Sequence, residues 1–274
     1  MSFVATLAYA LLMGAIPLVE VVWTGRSPAT LVVLFWFETV LGLLTGSIRI
    51  VAHRRATSMT GHYAPTTVVS DKDANADDVL RELGGPNTYL RHFLGITTIF
   101  TVAHGVFVLA LVFVFDIAGP LGRADARIAL AWAAAVQTVF LLIDLPRIAS
   151  WSFADLSRSV GQTSIRVLVT QIGLILGFPA AGLFGPWGLA GTLIALRAFA
   201  DASIQWITGL LKQRDLPPGL KRFLAKRAKQ SEASIEEEFD ALKEKGSAVE
   251  SLLERPIGES LARRAATGAR HGTQ

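Results

Sequence analysis

The side chains of this chain that could do chemistry lie inside long apolar stretches. Glu38, His104 and Arg197 each fall near the middle of such a stretch. An ionisable group in hydrocarbon costs roughly 2.5–3.5 kcal/mol to insert, so each needs a partner or a water-lined cavity. A carboxylate beside an imidazole can share a proton or coordinate a cation. These residues therefore indicate a polar site within an apolar protein.

Helical spacing places further polar residues beside these three, because residues three, four or seven positions apart share one helix face. We expect these polar stripes to converge inside a helix bundle and, by spacing, Arg197 to pair with Asp201, which leaves Glu38 and His104 to interact. The alternative is that the polar groups only hold the helices together by hydrogen bonds. The stripes are Glu38, Gly42, Thr45 and Arg49; Thr97, Thr101 and His104; Gln137 and Asp144; and Arg197, Asp201, Gln205 and Thr208.

The elements that must position these residues are apolar runs long enough to cross a bilayer. Of the 274 residues, 51% are hydrophobic and 18% charged, which is typical of a membrane protein with a soluble tail. A helix needs about 20 residues to cross about 30 Å of hydrocarbon. The fold class predicted is all-α, a polytopic bundle of about six transmembrane helices. The six runs are Phe3–Trp23, Ala29–Val51, His92–Phe115, Ile128–Leu145, Thr163–Phe184 and Trp187–Leu211.

The distribution of lysine and arginine predicts the orientation of these spans. Arg54, Arg55, Arg147 and the tail cations would share one side, whereas Arg26 and Arg123 would lie on the other. Basic residues are retained in the cytoplasm, so both termini are expected to be cytoplasmic, with the bundle in the plasma (inner) membrane. The net charge of +4 follows this topology and does not indicate nucleic-acid binding. Two domains are expected: residues 1–211, with a cytoplasmic loop at 52–91, and a cytoplasmic tail at 212–274.

Glycines four residues apart in two of the spans indicate close helix packing. Gly42 with Gly46, and Gly173 with Gly177, would let neighbouring backbones approach each other in lipid. Two interpretations stay open. The spacing is found at the interfaces of membrane homo-oligomers, but ordinary packing within one bundle is the favoured interpretation because the pattern is common in membrane helices.

Two short motifs resemble a family of uncharacterised prokaryotic multi-spanning membrane proteins, known only as a domain of unknown function. They are the aromatic-rich segment Leu34–Gly42, which carries Glu38, and the Ala103–Phe107 segment, in which His104 precedes Gly105. The resemblance implies that this glutamate and this histidine belong to a common core. It covers roughly Ala29 to Leu210 and supplies no activity.

The loop after the second span contains weak metal-ligand patterns. Asp71, Asp73, Asn75 and Glu82 occupy positions 1, 3, 5 and 12 of a calcium loop, but Ala76 replaces the glycine that the sharp turn requires. An acidic, solvated loop is the favoured interpretation. His53 and His92 could approach each other and hold a metal or haem, although His104 has no second intramembrane histidine opposite it for paired axial ligation.

The tail begins with a basic amphipathic segment that is expected to lie on the anionic inner leaflet, the alternative being a solvated linker. Beyond it, capping boxes at Ser234 and Ser247 predict two short helices that could bind a partner protein. The residues after Pro256 are expected to be disordered. The membrane-surface residues are Lys221, Arg222, Phe223, Lys226 and Arg227.

The motifs exclude several classes of enzyme. The chain has no cysteine, so thiolate chemistry is impossible, and it contains no nucleotide-binding glycine loop, serine elbow or zinc-protease motif. Three functions stay open: a non-catalytic membrane scaffold or accessory subunit, which needs the fewest assumptions; a small transporter or ion-conducting protein with Glu38 and His104 as relay; and an intramembrane metal- or haem-dependent redox or lipid-modifying protein. The sequence identifies no cofactor, and the lipid bilayer is the partner it predicts first.

Overall fold

A computed structural model of the chain describes residues 27–65, 76–85, 87–115, 121–212 and 232–271. This part is helical and contains no β-strand; one isolated antiparallel bridge joins Met59 to Pro256. The all-α fold class is therefore confirmed. The helices, numbered in chain order, are α1 (Pro28–Thr57), α2 (Ala76–Arg81), α3 (Thr88–Leu109), α4 (Arg123–Asp144), α5 (Phe153–Phe184), α6 (Pro186–Lys212), α7 (Glu232–Leu253) and α8 (Ile257–His271).

Local sequence explains where several of these helices begin and end. Ser27 caps α1, since its hydroxyl accepts a hydrogen bond from the Ala29 N–H at 3.2 Å, and Pro28 follows at the first helical position. Ser152 caps α5 in the same way through the Asp155 N–H at 3.0 Å. Gly185, with φ of +66°, makes the left-handed turn between α5 and α6 that a residue with a side chain would resist.

Three shorter elements extend this framework. Thr60–His62 and Leu145–Ser150 are 3-10 helical, and Ala110–Val114 forms a π-helical turn that continues α3. Within the described residues, four helical stretches are long and apolar enough to cross a membrane: Pro28–Thr57, Thr88–Val114, Ala126–Ser150 and Phe153–Phe184.

The predicted count of six spans is not confirmed. The second to fifth predicted spans coincide with the four apolar stretches, and the first, Phe3–Trp23, lies outside the described residues. The sixth corresponds to α6, which is long but is not among the four and carries Arg197 and Asp201.

Two predictions for the tail are wrong. One continuous helix, α7, replaces the two short helices, and Ser247 lies inside it. Residues beyond Pro256 form α8, because this segment is anchored to other residues: the Ile257 N–H donates to the Ser58 carbonyl at 3.1 Å. The basic segment Lys221–Arg227 lies outside the described residues.

Contacts divide the chain into two compact units, which we describe separately. The first comprises residues Met1–Gly46, Ile96–Asp144 and Ser159–Leu211. Its apolar core is made by one end of α1, the second half of α3, and α5 with α6. The core residues are Ala29, Leu31, Val32, Phe35, Val108, Leu111, Val112, Leu174, Ala181, Leu189, Ala190, Leu193 and Ile194.

Helices α5 and α6 form an antiparallel pair through small residues. A Cβ at Gly173 would lie 2.8 Å from Leu193 Cδ2, and one at Gly177 would lie 2.5 Å from Leu189 Cδ1. A Cβ at Gly42 on α1 would similarly meet the Thr163 side chain of α5 at 2.7 Å. These three glycines are thus used in packing within the chain; a homo-oligomer stays a prediction.

The second unit comprises residues Ser47–Gly95, Leu145–Arg158 and Lys212–Gln274. In it, α7 packs against the Thr60–His62 turn and α2, and α8 packs against α2. Backbone bonds hold the C-terminal segment here, with the Thr60 N–H donating to the Arg255 carbonyl at 2.8 Å. The Thr60 and Ser260 hydroxyls, 2.6 Å apart, are both buried.

Candidate functional site

The first unit contains an ion pair between two of the predicted site residues. Arg197 Nη1 of α6 donates to Glu38 Oε2 of α1 at 2.5 Å, and both side chains are about one quarter exposed, at 28%. The guanidinium carbon also lies 5.1 Å from the Phe35 ring centroid, one turn before Glu38 on the same helix face. The arginine is therefore held by a charge and by an aromatic face of one helix.

This pairing differs from the one expected from sequence. Arg197 was expected to pair with Asp201 four residues later, but Asp201 accepts a hydrogen bond from Arg166 Nε of α5 at 3.4 Å. Both pairs therefore join different helices. A neighbouring helix can supply a partner at any sequence separation, so i,i+4 spacing alone is a weak guide to pairing in a bundle. Arg166 lies near the start of the fifth predicted span. A charged residue at that position was the sequence signal that could have indicated it as a partner for Asp201.

Trp36 attaches α1 to α3 beside this ion pair. Its indole Nε1 donates to the Thr101 carbonyl at 3.1 Å. A Cβ at Gly105 would lie 2.8 Å from that nitrogen, so the missing side chain of Gly105 makes room for the indole. The two sequence motifs, one with Trp36 and Glu38 and the other with His104 and Gly105, thus meet in the structure.

The polar stripe of α3 is buried beside this contact. His104 has 0% relative exposure, Thr97 2% and Thr101 5%. Within the described part of the chain, neither ring nitrogen of His104 and neither threonine hydroxyl has a hydrogen-bond partner. Glu38 forms its ion pair with Arg197, so a Glu38–His104 pair is not the arrangement seen.

The other two core candidates are Arg49 and Gln137. Arg49 is partly buried and belongs to the second unit. Gln137 is partly buried on α4, a helix with few fully buried side chains. Whether either residue has a functional role stays a prediction.

The second unit contains a pair of buried histidines. His53 Nδ1 and His62 Nε2 are 2.8 Å apart, and His53 Nε2 is 3.1 Å from the Trp151 carbonyl. A carbonyl only accepts, so His53 carries its proton on Nε2, its Nδ1 accepts, and His62 donates from Nε2. His62 Nδ1 is then a lone pair, and it has no hydrogen-bond partner among the described residues.

The surroundings of His62 favour its neutral form. Its ring meets the Phe153 and Tyr89 rings edge-on, with centroids 5.3 Å and 6.5 Å away. Burial is the main cause that lowers the pKa of His62 from 6.5 to about 3, and electrostatic repulsion from neighbouring His53 and Arg54 disfavours its charged form further. The sequence suggested His53 with His92 instead; His62 follows a helix end in a short Thr-Gly-His turn, which marked it only as a loop residue.

The weak metal candidates of the sequence lie partly outside the described residues. No group of three or more histidine, aspartate or glutamate side chains there could hold a metal ion. Asp71, Asp73 and Asn75 lie outside the described residues, and Glu82 is exposed just after α2. The calcium-loop pattern therefore stays a prediction.

Comparison with known proteins assigns the chain to a family but not to an activity. No curated protein and no solved structure matches it. One family model, described as a family of unknown function (DUF6498), matches residues 2–233, which include both motifs and both interhelical ion pairs. The chain therefore belongs to this family of unknown function.

Proposed function

We propose that this chain is an integral membrane protein whose helix bundle serves as a non-catalytic scaffold or accessory subunit. The exposed apolar surface supports the membrane part of the proposal. On α4, Trp132 is 68% exposed and Leu142 61%, and on α3 Val106 is 63% exposed. Large apolar side chains that are this exposed on two helices favour a lipid or protein environment. A lipid bilayer would cover these side chains without any further protein element.

The Glu38–Arg197 pair is the observation that carries the scaffold part. A relay group must be free to change its bonding partner during function, whereas this carboxylate is already bonded to a guanidinium on another helix. Here a partly buried ion pair joins α1 to α6, and a more exposed one joins α5 to α6. These bonds fix helix positions, which is what a scaffold requires and what a Glu38-based relay would have to break.

The proposal also includes the membrane in which the protein lies and the orientation of its termini. We place the protein in the plasma membrane with both termini in the cytoplasm, on the basis of the lysine and arginine distribution. In this arrangement the C-terminal helices are available to a cytoplasmic partner protein. The basic segment before them, Lys221–Arg227, would lie on the anionic lipid surface.

Proton flux in reconstituted liposomes separates the scaffold from a Glu38 relay. Wild-type protein, Glu38→Gln and Arg197→Gln would be reconstituted at equal protein-to-lipid ratio, and a pH-sensitive dye would report flux under an imposed potential. The scaffold proposal predicts that none of the three proteins gives a Glu38-dependent proton flux above that of empty liposomes. Wild-type flux that is lost in a folded Glu38→Gln variant would contradict the proposal.

A further inference from the structure

The buried stripe on α3, made by Thr97, Thr101 and His104, has hydrogen-bonding groups that the described residues leave unused. Each of its three side chains is at most 5% exposed. Four polar atoms, the two threonine hydroxyls and both imidazole nitrogens, have no partner among the described residues. A buried polar group without a partner costs about 1–3 kcal/mol, so four together would be expensive for any fold.

Other threonines in the same bundle show how such hydroxyls are normally satisfied. Thr138, Thr170 and Thr192 each donate to the carbonyl four residues earlier in their own helix, at 2.7–2.8 Å. Thr97 and Thr101 do not form this bond. The Thr101 carbonyl instead accepts the Trp36 indole N–H. The stripe therefore differs from these three threonines, although the buried Thr30 hydroxyl of α1 also lacks a partner among the described residues.

The chemistry of the stripe defines what it can bind. A neutral imidazole offers one donor and one acceptor, and each hydroxyl offers both. Glu38 and Arg197, the charged residues of this candidate site, are bonded to each other. The ligand must therefore be uncharged and must both donate and accept. It must also be small, because the Trp36 indole fills the space next to Gly105.

Water meets each of these requirements. Seven residues of helix separate Thr97 from His104, a rise of about 10 Å. Neighbouring waters lie about 2.8 Å apart, so a file of about three spans this distance. Buried waters typically make about three hydrogen bonds to groups that lack other partners.

We infer that Thr97, Thr101 and His104 form a binding track for a short file of water molecules within the bundle. The file gives the His104 imidazole a route for proton exchange with water, although it lies at membrane depth. This track is separate from the scaffold role, since it uses none of the groups in the interhelical ion pairs. Loss of the track would leave the scaffold proposal intact.

Nuclear magnetic resonance of ¹⁵N-histidine-labelled protein in lipid nanodiscs tests this inference. The chain has only five histidines, so each imidazole can be assigned by single substitution. Exchange of the His104 N–H with water is measured by saturation transfer. The control lies in the same chain: His53 is equally buried, but its Nε2–H is bonded to the Trp151 carbonyl. We expect the His104 proton to exchange at least about tenfold faster than that of His53.

Threonine-to-valine variants test whether the threonine hydroxyls of the track affect His104 exchange. Thr101→Val removes a hydroxyl of the track at nearly constant volume and is expected to slow His104 exchange by about tenfold. Thr170→Val, which removes a hydroxyl bonded within α5, is expected to leave it unchanged. The inference is overturned if His104 in the wild-type protein exchanges as slowly as His53, as it would if a side chain from outside the described residues bonded it. It is also overturned if Thr101→Val and Thr170→Val affect the exchange equally.

A stability measurement gives an independent readout. If water satisfies the Thr101 hydroxyl, Thr101→Val breaks a complete network and lowers the melting temperature, as Thr170→Val does. If the hydroxyl is unsatisfied, valine removes a buried polar group without a partner and raises the melting temperature. A rise in Thr101→Val would overturn the inference.

Discussion

The close approach of α1 and α3 depends on the absence of a side chain at Gly105. The Trp36 indole occupies the space that a side chain at position 105 would need, and it donates to the Thr101 carbonyl. This contact explains why the sequence motif has a glycine at position 105. The preceding His104 lies on the neighbouring buried stripe. The two halves of the motif thus have different roles.

We predict that Gly105→Ala destabilises the bundle by about 1–3 kcal/mol, because the new Cβ overlaps the indole. Gly95→Ala is the matched control, since it lies in the same helix with nothing within 4 Å of the added Cβ. Alanine there should stabilise by up to about 1 kcal/mol through helix propensity. Thermal unfolding in detergent measures both. Equal effects of the two substitutions would refute the close contact.

The burial of neutral His62 predicts that the second unit loses stability in acid. Its pKa is lowered to about 3 in the folded protein, whereas the unfolded chain takes up a proton near 6.5. Between these values the unfolded state binds more protons, so stability is lost as pH falls below 6.5. The loss is about 1.4 kcal/mol per pH unit from this residue.

Unfolding of wild-type protein and of His62→Gln at pH 7 and pH 5 measures this effect. The wild-type protein should lose about 2 kcal/mol more than the variant over that interval, which lies above the ordinary carboxylate range. The same loss in both proteins would show that His62 is not buried in its neutral form.

At the scale of elements, a short β-bridge attaches the C-terminal helices to the turn after α1. Thr60 contributes most of its bonds: its N–H and its hydroxyl both donate to the Arg255 carbonyl, each at 2.8 Å. Sequence periodicity could not reveal this attachment, because it depends on backbone groups about 195 residues apart. Propensity alone predicted disorder after Pro256, and the long-range contacts are what order the helix.

We predict that Thr60→Val weakens this attachment by about 1–3 kcal/mol, since the Ser260 hydroxyl loses a buried partner. Hydrogen–deuterium exchange of the α8 amides should become faster in this variant. Thr57→Val is the control, because the Thr57 hydroxyl donates to the His53 carbonyl within α1 at 2.8 Å and not to the C-terminal segment. Unchanged α8 exchange in Thr60→Val would contradict the attachment.

The helices themselves were largely predictable, and their limits less so. Four predicted spans coincide with apolar helices because length and apolarity are local properties of the sequence. Helix α1 runs to Thr57 rather than ending near Val51, since His53 and Thr57 make contacts that no hydropathy pattern shows. The glycine spacings predicted close packing correctly but left its partner open, and α6 is the partner of α5.

For the molecule as a whole, the sequence identified polar residues within apolar helices but not the contacts between them. The positions of Glu38, His104 and Arg197 along their helices followed from counting residues. Which side chains meet depends also on the rotation of each helix about its axis, and on neighbours such as Arg166. The expected Arg197–Asp201 pair was therefore replaced by two pairs between helices.

The central claim is that the Glu38–Arg197 bond holds α1 and α6 together, and a double-mutant cycle tests it most directly. The free energy of unfolding would be measured for Glu38→Gln, Arg197→Gln and the double variant, with the exposed Asp155–Arg158 pair as a control. We predict that each core substitution costs about 1–3 kcal/mol and that the pair couples by about 1–2 kcal/mol. The control pair should couple by less than about 0.5 kcal/mol. Additive effects of Glu38→Gln and Arg197→Gln would contradict the account.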